Sequence, residues 1–169
     1  MPDAPGLPLD PVAEAGRQWE VHGWGDVAPA MAVVTSIMRA QQLLLGRANA
    51  VLRPFGLTFA RYELLMLLRF SRTGRLPLGK VGQRLQVNPG SITSAVDRLE
   101  GDGLVERVAN PQDRRGTLAV LTPTGRRLAD RATRAVNAKL FADLGLSDHE
   151  LDAVFAGLRT LRRNADGFP

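Results

Sequence analysis

The run from Asn88 to Leu104, NPGSITSAVDRLEGDGL, constrains the fold more than any other part of this chain. Asn88 followed by Pro89 supplies a helix N-cap and a first-turn proline, and Gly103 stands where a C′ glycine ends a helix. In that register Leu99 is C3 and Leu104 is C″, the apolar pair of a Schellman ending. Ile92, Val96 and Leu99 share one helical face. Ser91, Ser94, Asp97 and Arg98, with Thr93 at the border, share the other. One side of this helix must therefore pack on a core, and the opposite side presents short polar groups.

The flanking segments say what the helix belongs to. LVERV and TLAVL are short β-capable runs joined by ANPQDRRG, in which Asn110-Pro111 and Gly116 are turn residues. This is a hairpin with a long basic tip. A two-stranded hairpin is not stable alone, so it must lean on the helices before it. Upstream, LGKVGQRL reads as a short helix with Leu78, Val81 and Leu85 facing inward, linked to the next by Gln86-Val87. Two helices joined by a tight turn and followed by a basic-tipped hairpin make a winged helix-turn-helix.

The rest of the chain is helical. Asp10-Pro11 opens a short helix to about Glu20, with Val12, Ala15 and Trp19 on one face. After a break at His22–Gly25, Asp26 is expected to cap a long helix. Its Met31, Val34, Ile37/Met38, Leu44/Leu45, Ala48 and Leu52 recur at helical spacing, and Pro54 and Gly56 end it. Thr58 caps FARYELLMLLRF, which is apolar on most sides and belongs in a core; SRTGRLP is a basic turn. Thr122-Pro123 opens a helix to about Leu144. Ser147 and Glu150 then form a capping box for a last helix striped with Leu151, Val154/Phe155, Leu158 and Leu161. The expected fold class is mainly α, a winged helix-turn-helix with a β-hairpin wing. The expected segments are a disordered tail at 1–8, N-terminal helices over 9–56, the winged helix over 57–122 and C-terminal helices over 123–165.

Charge follows the same division. The overall net charge of the 169 residues is only +5. Residues 31–140, however, carry 18 basic against seven acidic side chains, a net of +11, between ends of net −4 and −2. A central segment of that character suits a polyanion. The absence of cysteine excludes disulfides, thiolate metal sites and thiol-based redox sensing. His22 and His149 have no second ligand at metal spacing, so no metal or cofactor is expected. No stretch reaches the roughly 18 apolar residues of a membrane span, and MPDAPGLPLDP lacks the regions of a signal peptide. A soluble cytoplasmic protein is the expectation.

Short polar side chains near a helix N-terminus allow close approach to base edges in a major groove, and Ser91, Thr93 and Ser94 have that character. They would serve equally as solvated first-turn residues. At the hairpin tip, Asp113-Arg114-Arg115 places two arginines on a thin protrusion fit to enter a minor groove, with a carboxylate able to orient one guanidinium. A solvated charged turn is the plain alternative. No paired carboxylates on a helical face, Ser-His-Asp set, glycine-rich phosphate loop or metal cluster supports an enzyme. A winged helix serving only protein contacts, or an architectural DNA binder, is the remaining competitor, and a doubly basic wing argues against the first of these.

The residues from Val87 to Arg127 closely resemble the MarR family of bacterial transcriptional regulators. Asp97-Arg98-Leu99-Glu100, Gly103-Leu104-Val105-Glu106-Arg107, Asp113 with Arg115, and Leu121-Thr122 with Gly125 match the family pattern in order and spacing. The helices on either side extend the resemblance over about residues 27–163. It implies a homodimer in which the N- and C-terminal helices of both subunits pair, each subunit presenting one winged helix to half of a pseudo-palindromic, double-stranded DNA operator. It also implies that Arg115 is the minor-groove residue with Asp113 its partner, and that Asp97 and Arg98 orient the wing and contact phosphate. Many relatives are repressors released by a small anionic or aromatic effector. A pocket of Trp24, Met31, Arg61, Tyr62 and Met66 would suit an organic anion. Core packing for Trp24, Met31, Tyr62 and Met66, with Arg61 a surface charge, is the alternative.

Overall fold

The computed structural model of the chain describes residues 9–113 and 116–166. The expected tail at 1–8 and the wing residues Arg114 and Arg115 lie outside the described residues. The element order is α1 (Pro11–Val21), α2 (Ala28–Leu52), α3 (Phe59–Phe70), β1 (Arg75–Pro77), α4 (Leu78–Leu85), α5 (Pro89–Gly101), β2 (Val105–Ala109), β3 (Thr117–Leu121), α6 (Pro123–Val136) and α7 (Asp148–Asp166). The chain forms two compact units that divide between Ala50 and Val51.

In the first unit, the Asp10 carboxylate accepts the Val12 N–H at 2.9 Å and Pro11 takes the first helical position, which starts α1 as its sequence dictates. Trp24 closes back on this helix. Its N–H donates to the Trp19 carbonyl at 2.8 Å, and its ring meets Trp19 edge-on at 5.4 Å between centroids. Asp26 does not cap α2. It sits inside a single 3₁₀ turn, Gly25–Val27, that leads directly into the helix. Along α2 the apolar side chains expected to form a stripe are largely uncovered, with Val34 at 55% and Met38 at 64% exposure.

The second unit holds the core. Leu52, Leu64, Leu65, Leu68, Val81, Val96, Leu99 and Val105 are fully buried. Each such side chain contributes about 1.5–3 kcal/mol relative to its exposed state. The α3 helix supplies three of these leucines and Tyr62, as its all-round apolar sequence requires. The sheet has three antiparallel strands in the order β1-β3-β2, not the two of a lone hairpin. The third strand comes from the segment expected to be a basic turn: Arg75, Leu76 and Pro77 pair with Val120, Ala119 and Leu118. The Gly74 carbonyl extends the pairing by accepting the Leu121 N–H at 2.8 Å.

One of the C-terminal helices ends differently from its expected bounds. The α6 helix stops at Val136 and widens into one π turn, Asn137–Phe141, which keeps Leu140 buried while Lys139 is exposed. The capping box of α7 forms as expected: the Ser147 N–H donates to Glu150 Oε2 at 2.8 Å, and the Glu150 N–H to Ser147 Oγ at 3.4 Å. The Ser147 hydroxyl, which donates to the same Glu150 oxygen at 2.6 Å, and the Ser147 N–H together hold the Glu150 carboxyl below the usual carboxylate range. Over residues 148–165, Leu158 is half-buried and the other side chains are exposed.

Candidate nucleic-acid interface

The α5 helix is built by the signals in its own sequence. Asn88 Oδ1 accepts the Ser91 N–H at 2.9 Å, and Pro89 fills the first helical position. At the other end the Leu104 N–H donates to the Leu99 carbonyl at 2.8 Å and the Gly103 N–H to Glu100 at 2.9 Å, the two bonds of a Schellman ending. Gly103 takes φ +68° there, a conformation that glycine adopts without steric penalty. Between these ends Ile92, Val96 and Leu99 are buried, and Ser91, Thr93, Ser94, Asp97 and Arg98 are exposed. Thr93 is bonded within the helix, its hydroxyl donating to the Pro89 carbonyl at 3.0 Å. The Ser91, Ser94 and Arg98 side chains share that outward face.

Gln86 makes the turn between α4 and α5 in the left-handed region, φ +54°, and its N–H closes α4 on the Gly82 carbonyl. The wing is rooted by backbone bonds. The Asn110 N–H donates to the Gly116 carbonyl at 3.0 Å, and the Gly116 N–H to the Asp113 carbonyl at 2.9 Å. The Asn110 side chain accepts the Gln112 N–H at 3.1 Å, an Asx turn that bends the chain at Pro111. Asp113 is exposed at this tip. Across an open cleft of about 550 Å³, the wing root faces the first turns of α4, with Pro77, Lys80, Gln83, Asn110, Asp113 and Thr117 on its walls.

The junction behind α5 and the wing is tightly knit. Thr122 Oγ1 accepts the Gly125 N–H at 2.9 Å, which caps α6, and also lies 2.9 Å from the Gly103 carbonyl. Gly125 packs so closely on the α5–β2 corner that a Cβ there would stand 2.1 Å from the Leu104 carbonyl oxygen. A side chain at 125 would force the two backbones apart, which is the physical reason for glycine in the Leu-Thr-x-x-Gly run.

Arg107 is the residue that sequence reasoning passed over. From β2 its guanidinium reaches Asp97 and Glu100 on α5, each at 2.5 Å, and the Thr93 carbonyl at 3.3 Å. Burial pulls its pKa down, and the two carboxylates more than offset that, leaving it raised above the ordinary value. The available signal was the alternation of β2, which turns Arg107 to the same side as Val105, together with two acids three residues apart on α5.

The residues expected to line an effector pocket fall in both units. Trp24 is about half exposed, stacked near His22 and edge-on to Trp19, and Met31 accepts the Thr35 hydroxyl at 3.4 Å; both lie in the first unit. In the second unit, Arg61 stands 3.5 Å from Asp102, the C-cap of α5, and donates to Thr58 Oγ1 at 3.4 Å. Tyr62 and Met66 are brought together by Thr133 of α6. The Tyr62 hydroxyl donates to Thr133 Oγ1 at 3.1 Å, and that hydroxyl lies 3.1 Å from the Met66 sulfur. Among the described residues there is no group of His, Cys, Asp and Glu that could hold a metal ion, and no helix long and apolar enough to cross a membrane.

Comparison with known proteins agrees with this geometry. Residues 57–117 match the MarR family. The chain is similar to Sco5413, a MarR family transcriptional regulator from Streptomyces coelicolor, with 50% identity, coverage of 83% of this chain and 97% of that one, and a TM-score of 0.76. It is also similar to Sco3205, a MarR family regulator of the same organism solved in complex with DNA (26% identity, 79% and 86% coverage, TM-score 0.70). A third likeness is to CouR from Rhodococcus jostii RHA1, solved bound to p-coumaroyl-CoA (30% identity, 81% and 94% coverage, TM-score 0.68).

Proposed function

The chain belongs to the MarR family of transcriptional regulators, and from that premise we propose that it is a homodimeric, cytoplasmic repressor. Its two winged helices read the half-sites of a pseudo-palindromic operator, and a small organic anion or aromatic effector releases them. The observation that carries the DNA reading is α5 itself. Its apolar face is fully buried while Ser91, Thr93, Ser94 and Arg98 remain exposed on the other, a helix held rigidly with a groove-compatible face outward. The complex of Sco3205 with DNA supports the same use here. Asp113, Arg114 and Arg115 form the wing tip in this reading, with Arg115 entering the minor groove and Asp113 orienting it.

Dimerisation accounts for the apolar side chains that the chain leaves uncovered. On α7, Val154 is 49% and Phe155 60% exposed, and on α2 Val34 and Met38 are exposed to a similar extent. Stripes of this kind mark a surface awaiting a partner, and a second copy supplies the same stripes. Arg61, Tyr62 and Met66, all of the second unit, are proposed as effector contacts, with Arg61 the anion-binding group. The ligand-bound structure of CouR supports an effector of aromatic, anionic chemistry.

The test is binding to duplex DNA selected by the protein from a genomic fragment library. Affinity should fall steeply with salt, as counterion release requires. Arg115→Ala should cost about 1–3 kcal/mol of operator affinity, the scale of one good groove contact. An unchanged affinity at fixed salt removes the wing from the interface, and salt-independent binding removes the polyanion reading altogether.

A further inference from the structure

Arg107 lies on β2, the strand that carries the chain out to the wing, where it pairs with Ala119. Its guanidinium meets α5 at Thr93, Asp97 and Glu100, and its own backbone N–H donates to Glu100 Oε1 at 3.0 Å. Those positions are i, i+4 and i+7, a single stripe covering about 10 Å of helix axis. The side chain is only 24% exposed. A cation serving a phosphate must keep its donors free. Arg107 instead spends them on three acceptors of one helix, and a planar fork bonded along several edges is held at a fixed angle. The Thr93 tie is to the backbone of a residue whose side chain stands on the exposed, groove-facing side.

We propose that Arg107 is a positioning residue that sets the angle between α5 and the wing, so that both reach one half-site together. The proposal rests on the DNA-binding reading above. A helix in the major groove and an arginine in the adjacent minor groove engage one duplex only if their separation is already correct, because ordering it at the moment of binding costs affinity. The clamp also places a positive charge between two carboxylates that would otherwise stand unopposed on a helix presented to phosphates.

The experiment is a double-mutant cycle on the full chain, with the duplex selected by the unaltered protein and salt held constant. Arg107→Met and Arg107→Lys are each made alone and with Arg115→Ala; the lysine variant keeps the charge but lacks the planar fork that fixes the angle. Positioning predicts that Arg107→Met weakens binding at least about tenfold in the parent and no more than about threefold when Arg115 is already gone, since coupled residues deviate from additivity on that scale. Arg107→Lys should melt near the parent temperature and show the same non-additivity with a smaller loss. Equal losses in both backgrounds overturn the proposal, whether they come from a direct DNA contact or from general destabilisation. No salt-dependent binding by the unaltered protein overturns the DNA reading and this proposal together, and it is seen before any variant is made.

Discussion

Two helices of the second unit, α5 and α7, start from the same kind of sequence. Each begins at a side-chain cap, Asn88 or Ser147, and each carries aliphatic residues at helical spacing. In α5 the stripe of Ile92, Val96 and Leu99 is buried within the chain, whereas in α7 Leu151, Val154, Phe155 and Leu161 remain exposed. The α5 helix is also bonded from β2 through Arg107, and the corner that follows it from the α6 junction through Thr122. In the proposed homodimer on DNA, this difference separates two tasks. A surface that reads DNA must have its geometry fixed by the chain that carries it, whereas a surface that pairs subunits stays open until the second subunit arrives.

The comparison breaks most decisively at Phe155. Because that ring is largely exposed in the single chain, Phe155→Asp should leave the winged helix folded, dissociate the dimer in sedimentation, and lower operator affinity about a hundredfold or more as linkage between half-sites is lost. An intact dimer would remove α7 from the subunit interface. On the other side of the comparison, Gly125→Ala should destabilise the α5–β2–α6 corner by about 1–3 kcal/mol, the cost of overpacking a closed site, read by denaturant titration. An unchanged unfolding midpoint would show that the corner yields and that α5 is not held as tightly as its contacts imply. The smallest effect belongs to the α7 cap. Ser147→Ala should lower the melting temperature by about 2 °C at neutral pH. Glu150 has a lowered pKa in the folded state, so its share of the cap is present above the unfolded pKa and lost as the pH falls through the folded one. The difference between variant and parent should therefore shrink on acidification, and a difference that grows would reverse the assignment.

What could be read from residues alone was local. Asn88-Pro89, the Leu99–Leu104 ending and the Ser147–Glu150 box are each complete within a few positions, and all three form as expected. Features that depend on distant partners were not legible. Three residues of β1 become a strand only because β3, more than forty positions later, offers them an edge. The π turn after Val136 was invisible because the helical pattern continues through it and only the burial of Leu140 shows the change of pitch. Arg107 looked like one basic residue among many, since nothing in a linear count separates a cation aimed at DNA from one aimed at its own helix. The α7 stripe was plain, but whether the chain or a second copy covers it is a question of geometry.

The bond between Asn110 and Gly116 has a consequence for how such a protein diversifies. It closes the neck of the wing, so that the three-stranded sheet below it is complete whatever the tip contains. The pairing that builds the sheet thus needs no residue beyond this neck. Substitutions at the tip are expected to leave the sheet, the α5 clamp and the α6 corner unaltered. If the wing enters a groove as proposed, a change at its tip alters operator preference without renegotiating the fold.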